Sequence, residues 1–324
     1  MGTRLTWSDL PEGVRSRVAR VLAEDVVATH GCAGGFSPST AEVVRGASGA
    51  AVFVKAVREA DNPDSVALNR QEARVLAEMP GDAPVPALRD VFEDGPWLVL
   101  VTEAAPGSMP EQPWRADQLD EVLAAMDAVQ AAATPCPIGS LPSMADLLGE
   151  DLRGFDRVAA DPPHDLDPWI AERLDALRSA AQTGIAARAG ETLCHGDLRA
   201  DNIVIAEDGA VALVDWAWAS RGSRWADAVD VLSSVELPEG AAAVSARLDA
   251  VLERHGVAGS VGTQMLAGLL GFFVDAERLP DKPALPGLAS HRARRRDLLR
   301  ELVRERWEDA DPPIAVPGTA APSP

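Results

Sequence analysis

The stretch Leu193-Cys194-His195-Gly196-Asp197-Leu198-Arg199-Ala200-Asp201-Asn202, followed by the apolar run Val211-Ala212-Leu213-Val214 and then Asp215-Trp216, decides the reading of this chain. It places an aspartate, an asparagine and a second aspartate on two short strands and the turns beside them. One carboxylate of such a set can receive a proton from a hydroxyl, and the other two side chains are oxygen donors suited to a hard cation such as Mg²⁺. Asp197 is the candidate proton acceptor, and Asn202 and Asp215 are the candidate metal ligands. An acidic strand-turn-strand with no ligand leaves the spacing of His195, Asp197, Asn202 and Asp215 between apolar strands unexplained.

Working outward, lysine is the sharpest local signal. Of the 30 basic residues only Lys55 and Lys282 are lysines; wherever a generic cation sufficed, the sequence uses arginine. Lys55 sits in Ala51-Val52-Phe53-Val54-Lys55-Ala56-Val57, mid-strand, with alternation turning it away from its apolar neighbours. A slender ammonium reaches an α- or β-phosphate in a way that the planar guanidinium fork does not. Glu72, on the helix that follows, is the expected partner that holds Lys55 in place. Upstream, Gly34-Gly35-Phe36-Ser37-Pro38 can lay backbone N–H groups, those of Gly35 and Ser37 among them, over phosphates. The loop lacks a Walker pattern, so a P-loop fold is not indicated.

Together these residues are the parts that phosphoryl transfer requires. ATP, with GTP as an alternative, is then the expected co-substrate with Mg²⁺, and Glu103 to Ala105 can offer an adenine ring backbone hydrogen bonds. Arg199 is placed to reach the γ-phosphate. His195 is expected to brace its loop rather than to react, and Asp227 to anchor that loop from below.

The organisation of the chain agrees with a nucleotide site between two lobes. A helical opening (Trp7 to Val27) precedes strands at Ala41 to Arg45 and Ala51 to Val57. A helix follows at Ser65 to Met79, and then strands at Val85 to Phe92 and Trp97 to Thr102. Beyond Glu103-Ala104-Ala105-Pro106-Gly107 the spacing turns helical: Asp117 to Ala133, Met144 to Ala160 and Pro168 to Ala189. Helices resume after the catalytic stretch at Gly240 to His255, Gln264 to Leu279 and His291 to Glu308. The expected fold is α+β and bilobal. A small β-rich N-terminal lobe spans 1–103, and a larger, mainly helical C-terminal lobe that carries catalysis and substrate binding spans 104–310. A disordered Pro/Ala-rich tail covers 311–324, and a cleft at the joint of the lobes is the expected ligand site.

Composition narrows the field. With 324 residues and 47% hydrophobic content the chain can bury a sizeable core. Thirty basic against 50 acidic residues leave a net charge of −20, which argues against nucleic acid as a partner. Cys32, Cys136 and Cys194 have neither a disulfide framework nor zinc spacing, so a reducing cytoplasm is expected. Neither a signal peptide nor a membrane span is expected, and the protein should be a monomer or a homodimer. Asp117, Asp120, Glu236, Glu239, Asp275 and Glu277 are candidates for a pocket that would take a cationic substrate.

His195-Gly196-Asp197 with Asn202, Asp215-Trp216 and Asp227 resembles the aminoglycoside phosphotransferase family, relatives of protein kinases, and the resemblance implies the bilobal protein-kinase-like fold. The resemblance covers Gly34 to about Trp307 and is most specific from Leu193 to Asp227. The Gly34–Pro38 run and the closing basic helix resemble a group of poorly characterised actinobacterial members. By this resemblance Asp197 is the catalytic base, Asn202 and Asp215 bind magnesium, Lys55 binds phosphate and pairs with Glu72, and Glu103 to Ala105 form the adenine hinge. Arg199 stands where members often carry histidine. Trp216 replaces the Phe-Gly of protein kinases, and the activation segment ending in Ala-Pro-Glu is missing, which implies a small-molecule acceptor. The implied activity is phosphorylation of a hydroxyl on an aminoglycoside or another natural-product antibiotic. A kinase acting on an amino alcohol or a sugar is the alternative, and a non-catalytic nucleotide-binding module is the rival from another class.

Overall fold

A computed structural model of the protein describes residues 5–32, 40–280 and 287–308. Gly35 and Ser37, with the rest of the Gly34–Pro38 run, Lys282 and the tail 311–324 lie outside the described residues. The chain divides into two compact units. The first comprises Met1–Pro110, Asp117–Ser140 and His195–Ala219; the second comprises Glu111–Ala116, Leu141–Cys194 and Ser220–Pro324.

The first unit is built on an antiparallel sheet of five strands: β1 (Val26–Gly31), β2 (Thr40–Gly46), β3 (Ala51–Arg58), β4 (Leu88–Asp94) and β5 (Trp97–Glu103), in the spatial order β1-β2-β3-β5-β4. Gly49 (φ 92°) and Gly95 (φ 56°) turn the two hairpins through the left-handed region that glycine enters without a Cβ penalty. Helix α1 (Glu12–Leu22) lays Val14, Val18 and Leu22 on one sheet face, against Val44, Val52, Val54, Ala56, Phe92, Trp97, Val99 and Val101. Each such side chain contributes roughly 1.5–3 kcal/mol on full burial. Strand alternation then sends Phe53, Lys55 and Val57 to the opposite face, where Val57 packs with Val66 and Leu98. Val66 belongs to α2 (Pro63–Ala77), which starts sharply because Asn62 Oδ1 caps Ser65 N–H at 3.0 Å and Pro63 occupies the first turn. Lys55 is therefore delivered to the α2 side of the sheet.

The expected opening helix, Trp7 to Val27, is not one element. A 3₁₀ turn (Trp7–Asp9) and α1 flank Pro11, whose ring supplies no N–H to continue a ladder. Ala23 at φ 63° ends α1, and β-branched Val26 and Val27 begin the edge strand β1. Most of β1 is solvent-exposed, so it has no in-out alternation to betray it.

Beyond the sheet, α3 (Ala116–Ala132) follows. After β6 (Thr192–Cys194) comes the hairpin β7 (Ile203–Ile205) and β8 (Val211–Leu213), paired Ile203↔Leu213 through Ile205↔Val211. Gly107 (φ 117°) and Ser108 dock the segment after β5 on β7, with Ser108 and Ile205 exchanging backbone hydrogen bonds of 3.0 and 2.8 Å. A Cβ on Gly107 would overlap the Ile205 carbonyl, which is why this position needs glycine.

The second unit is helical: α4 (Met144–Leu148), α5 (Gly154–Ala160), α6 (Pro168–Ala186), α7 (Ala226–Leu232), α8 (Ala241–Arg254), α9 (Gly259–Ala276) and α10 (Leu288–Glu308). β9 (Ser220–Gly222) pairs with β6 in a two-stranded ribbon. The helix expected over Met144 to Ala160 is broken into α4, a 3₁₀ turn at Asp151–Arg153 and α5. Two poor helix formers, Gly149 and Gly154, bracket the break, and Gly154 brings its backbone against Gly271 of α9 where no Cβ fits. α9 is the centre of the unit, with α5, α6, α8 and α10 around it. Arg306 of α10 is buried and donates to Thr263 Oγ1, Asp249 Oδ1 and the Ser245 hydroxyl. Fully buried Arg188 grips Asp230 with both terminal nitrogens, at 2.9 and 2.7 Å. No helix among the described residues is long and apolar enough to cross a membrane.

Candidate active site

The β7–β8 hairpin explains why residues far apart in sequence meet. Antiparallel pairing sets Asn202, just before β7, beside Val214, just after β8, and Val214 N–H donates to the Asn202 carbonyl at 3.0 Å. The Val214 carbonyl in turn lies 2.8 Å from His195 Nε2, and His195 Nδ1 accepts the Asp197 N–H at 3.3 Å. That pair of bonds fixes the tautomer: Nε2 carries the proton and Nδ1 accepts. The ring is fully buried and tilts against Trp216 with centroids 4.8 Å apart. Burial pushes its pKa down to about 4, so it is neutral near pH 7. Asn202 Nδ2 closes the circle by donating to the Asp197 carbonyl at 2.8 Å. Gly196 makes this loop possible: its φ is 79°, and a Cβ there would overlap the Trp218 carbonyl.

Lys55 lies between two carboxylates. Its Nζ is 2.6 Å from Glu72 Oε2 and 2.8 Å from Asp215 Oδ1. Burial alone would push the ammonium down, but the two carboxylates outweigh it and hold Lys55 above its ordinary value. Burial would likewise raise Asp215; Lys55 instead keeps it below the usual carboxylate range. Burial pushes the Glu72 carboxyl up, countered by Lys55 and by the Trp216 N–H that it accepts. Asp215 itself has φ 67° and ψ 63°, the left-handed region that aspartate tolerates better than most residues.

Arg199 is committed to a neighbour that the sequence did not single out. Its Nε and Nη2 hold Asp201 at 3.0 and 2.8 Å, and its Nε is 3.8 Å from Asp197 Oδ1. Burial would lower the guanidinium, and Asp197 and Asp201 raise it instead. Gln71 was not singled out either: its amide donates to the carbonyls of Ala217 (3.0 Å) and Ala219 (3.3 Å). Asp201 was legible only as an acid two positions from Arg199. Gln71 had no signal at all, because nothing local marks a glutamine whose partners lie 146 and 148 positions away.

Glu103 ends β5, its N–H bonded to the Ala87 carbonyl at 2.9 Å and its carboxylate paired with Arg89. Two residues on, neither the N–H nor the C=O of Ala105 bonds another backbone group among the described residues. Asp227 lies in the second unit, buried in the first turn of α7. The acidic candidates for a cationic pocket are corrected in part: Arg157 holds Asp275 at 2.6 Å, Arg296 holds Glu277, and Arg294 stands 3.8 Å from Glu236. Acids neutralised in this way do not form a free cation receptor.

Asn202 and Asp215 fit a hard divalent cation. A carbonyl can only accept, so the Asn202 amide must turn Nδ2 to Asp197, which leaves Oδ1 as the free end of a fixed side chain. Asp215 is held ionised, and 44% of its side-chain surface stays exposed. Among the described residues no three His, Cys, Asp or Glu cluster as a metal site. Mg²⁺ typically takes one or two protein oxygens and completes its shell with phosphates and water.

An antiparallel sheet with a lysine–glutamate pair, joined to a loop that carries Asp197, Asn202 and Asp215, defines the kinase-like class of α+β fold. A model of the phosphotransferase enzyme family matches residues 29–259, and the chain belongs to that family, which makes it a phosphotransferase of small molecules. Solved structures share the fold. A thermostable mutant of aminoglycoside phosphotransferase APH(4)-Ia, in complex with ADP and hygromycin B, aligns with a TM-score of 0.58 at 16% identity over 90% of this chain and 98% of that one. Amicoumacin kinase hAmiN, in complex with AMP-PNP, Ca²⁺ and Ami, gives 0.54 at 14% over 91% and 94%. Choline kinase LicA from Streptococcus pneumoniae gives 0.56 at 12% over 89% and 98%. A comparison with curated proteins gave no match.

Proposed function

We propose that the protein transfers the γ-phosphoryl group of ATP, or of GTP, to a hydroxyl of a small molecule, with Mg²⁺, in the cytoplasm. The observation that carries this reading is the closed set of bonds joining Lys55, Glu72 and Asp215 to Asp197 and Asn202 by way of Val214 and His195. Asp197 accepts a hydrogen bond from the acceptor hydroxyl and aims its oxygen at the γ-phosphorus. As the new O–P bond forms, the bond to the β-phosphate oxygen breaks, ADP leaves with the electron pair, and the proton passes to Asp197. Positioning and charge stabilisation carry most of the barrier reduction in such a loose transition state. Lys55 binds the α- and β-phosphates, and Arg199 stands by for the γ-phosphate. Asn202 and Asp215 would hold the metal ion, which when bound draws charge off the phosphates. Glu103 and Ala105 offer the adenine edge an acceptor and a donor, and His195 supports the loop.

The acceptor is an aminoglycoside or another natural-product antibiotic, a reading supported by the fold shared with APH(4)-Ia and hAmiN. A second reading, a kinase of an amino alcohol or a sugar, draws on the choline kinase likeness. The test is incubation with MgATP and a panel of aminoglycosides, other antibiotics, amino alcohols and sugars, with mass spectrometry for one added phosphoryl group. Labelling confined to amino alcohols or sugars overturns the antibiotic reading. No nucleotide binding and no labelling of any acceptor overturns the kinase reading.

A further inference from the structure

The proposed metal ligand Asp215 sits in the left-handed backbone conformation, which L-residues other than glycine adopt rarely. Such a conformation persists only where the surroundings over-determine it. On its N-terminal side the hold is evident: Val214 N–H is bonded to Asn202 and the Val214 carbonyl to His195. On its C-terminal side the chain enters a 3₁₀ turn, Trp216–Trp218, in which Ala219 N–H donates to the Trp216 carbonyl at 3.2 Å and the later carbonyls look outside the turn for donors. Trp216 is held by its Nε1, which donates to the Leu213 carbonyl at 3.0 Å, and further groups that hold this side come from α2. Glu72 accepts the Trp216 N–H while it grips Lys55, and Gln71, the preceding residue, donates to Ala217 and Ala219.

We infer that Gln71 is a positioning residue for Asp215, a hydrogen-bond clamp that holds residues 216–219 so that the metal-binding carboxylate stays directed at Lys55. A primary amide suits the task because its single nitrogen carries two N–H bonds, one for each carbonyl. Leucine at this position fills similar space but donates nothing. Glutamate sets a carboxylate against two carbonyl oxygens, whereas lysine restores a donor. Adjacent residues on a helix point about 100° apart, so α2 reaches the lysine side through Glu72 and the turn through Gln71. The inference rests on the proposed role of Asp215 in metal–nucleotide binding, and its test separates the two.

The experiment compares wild type with Gln71→Leu, Gln71→Glu and Gln71→Lys by calorimetric titration with ADP, once with Mg²⁺ and once in excess EDTA. Gln71→Leu should weaken MgADP binding about tenfold and leave metal-free ADP affinity unchanged, since loss of buried hydrogen bonds of this kind costs about that factor or more. Gln71→Glu should be at least as weak, and Gln71→Lys should stay within about threefold of wild type. Equal loss with and without metal, or Leu and Lys variants that behave alike, overturns the inference. Hydrogen exchange at the amides of 216–219 decides it without a ligand: faster exchange in Gln71→Leu supports the clamp, and unchanged exchange sinks it. Wild-type protein that binds no MgADP sinks the nucleotide reading instead, and exchange still judges the clamp.

Discussion

At Asp197 and Asp215 two carboxylates of the same loop region are assigned different work, and their surroundings differ accordingly. Asp197 carries an N–H bonded to His195, a carbonyl bonded to Asn202, and a side chain 3.8 Å from Arg199. Asp215 is ion-paired to Lys55. Asp197→Ala should therefore lower turnover by about 10²–10⁴ while MgATP affinity is kept, whereas Asp215→Ala should weaken magnesium-dependent nucleotide binding first. Steady-state kinetics beside titration calorimetry separates the two; the same loss from both variants contradicts the division of roles. His195 gives a pH signature. Its folded pKa of about 4 lies below the unfolded value of about 6.5, so the unfolded chain binds the proton more readily between those values. Stability should then fall on acidification through that window, by on the order of 3 kcal/mol from this residue. His195→Asn should be less stable at pH 7 but show a flatter slope from pH 6.5 to 4 in chemical denaturation. Asp215 acts in a lower window: its folded pKa is held below the ordinary carboxylate value of 3.8, so its stabilising contribution is lost as pH falls from about that value toward the depressed one.

The elements differ in how openly the sequence declared them. β3 and β5 alternate or run apolar, and their positions were legible; so was the body of α2, although it starts at Pro63, two positions before the expected Ser65. β1 was not, because an exposed edge strand buries too little to impose a pattern, and Val26 and Val27 read as a continuation of α1. The break between α4 and α5 was hidden for another reason. Its cause is the approach of Gly154 to Gly271, a contact 117 positions long in the chain that no local propensity encodes. The docking of the segment after β5 on β7 has the same character and can be tested directly. Gly107→Ala combines a φ of 117° with overlap of the Ile205 carbonyl, and should cost roughly 2 kcal/mol or more in denaturant unfolding. Because Ile205 lies in the strand that starts beside Asn202, the same variant should also lower magnesium-dependent nucleotide affinity. Wild-type stability would mean that the segment yields freely.

For the whole molecule, charge governs the response to salt. A net charge of −20 makes the chain repel itself, even though many acids are paired with arginines such as Arg157, Arg296 and Arg306. Salt weakens both effects, but isolated surface pairs contribute only about 0–1 kcal/mol each, and the excess of like charge should dominate. Raising NaCl from about 10 to about 150 mM shortens the Debye length from about 30 to about 8 Å, and should raise the thermal midpoint. A midpoint that falls would show that the ion pairs outweigh the self-repulsion. The candidate site was more legible than its support for a related reason. Lysine is so scarce in this composition that Lys55 stood out, and the Asp197–Asn202–Asp215 spacing is local to one hairpin. Gln71, Asp201 and the Val214 backbone are ordinary residues until the fold brings them to their partners.

The pairing of Lys55 also turns the protein into its own chemical reporter. Acylating reagents attack a neutral amine, and here the ammonium is kept protonated between two carboxylates with 12% of its side-chain surface open. In a sequence with a single other lysine, Lys282, covalent modification of Lys55 by an activated ester is easily traced to one peptide. Its reactivity rises when Glu72 or Asp215 lets go, so the labelling rate reads out how tightly the two acids are closed around it.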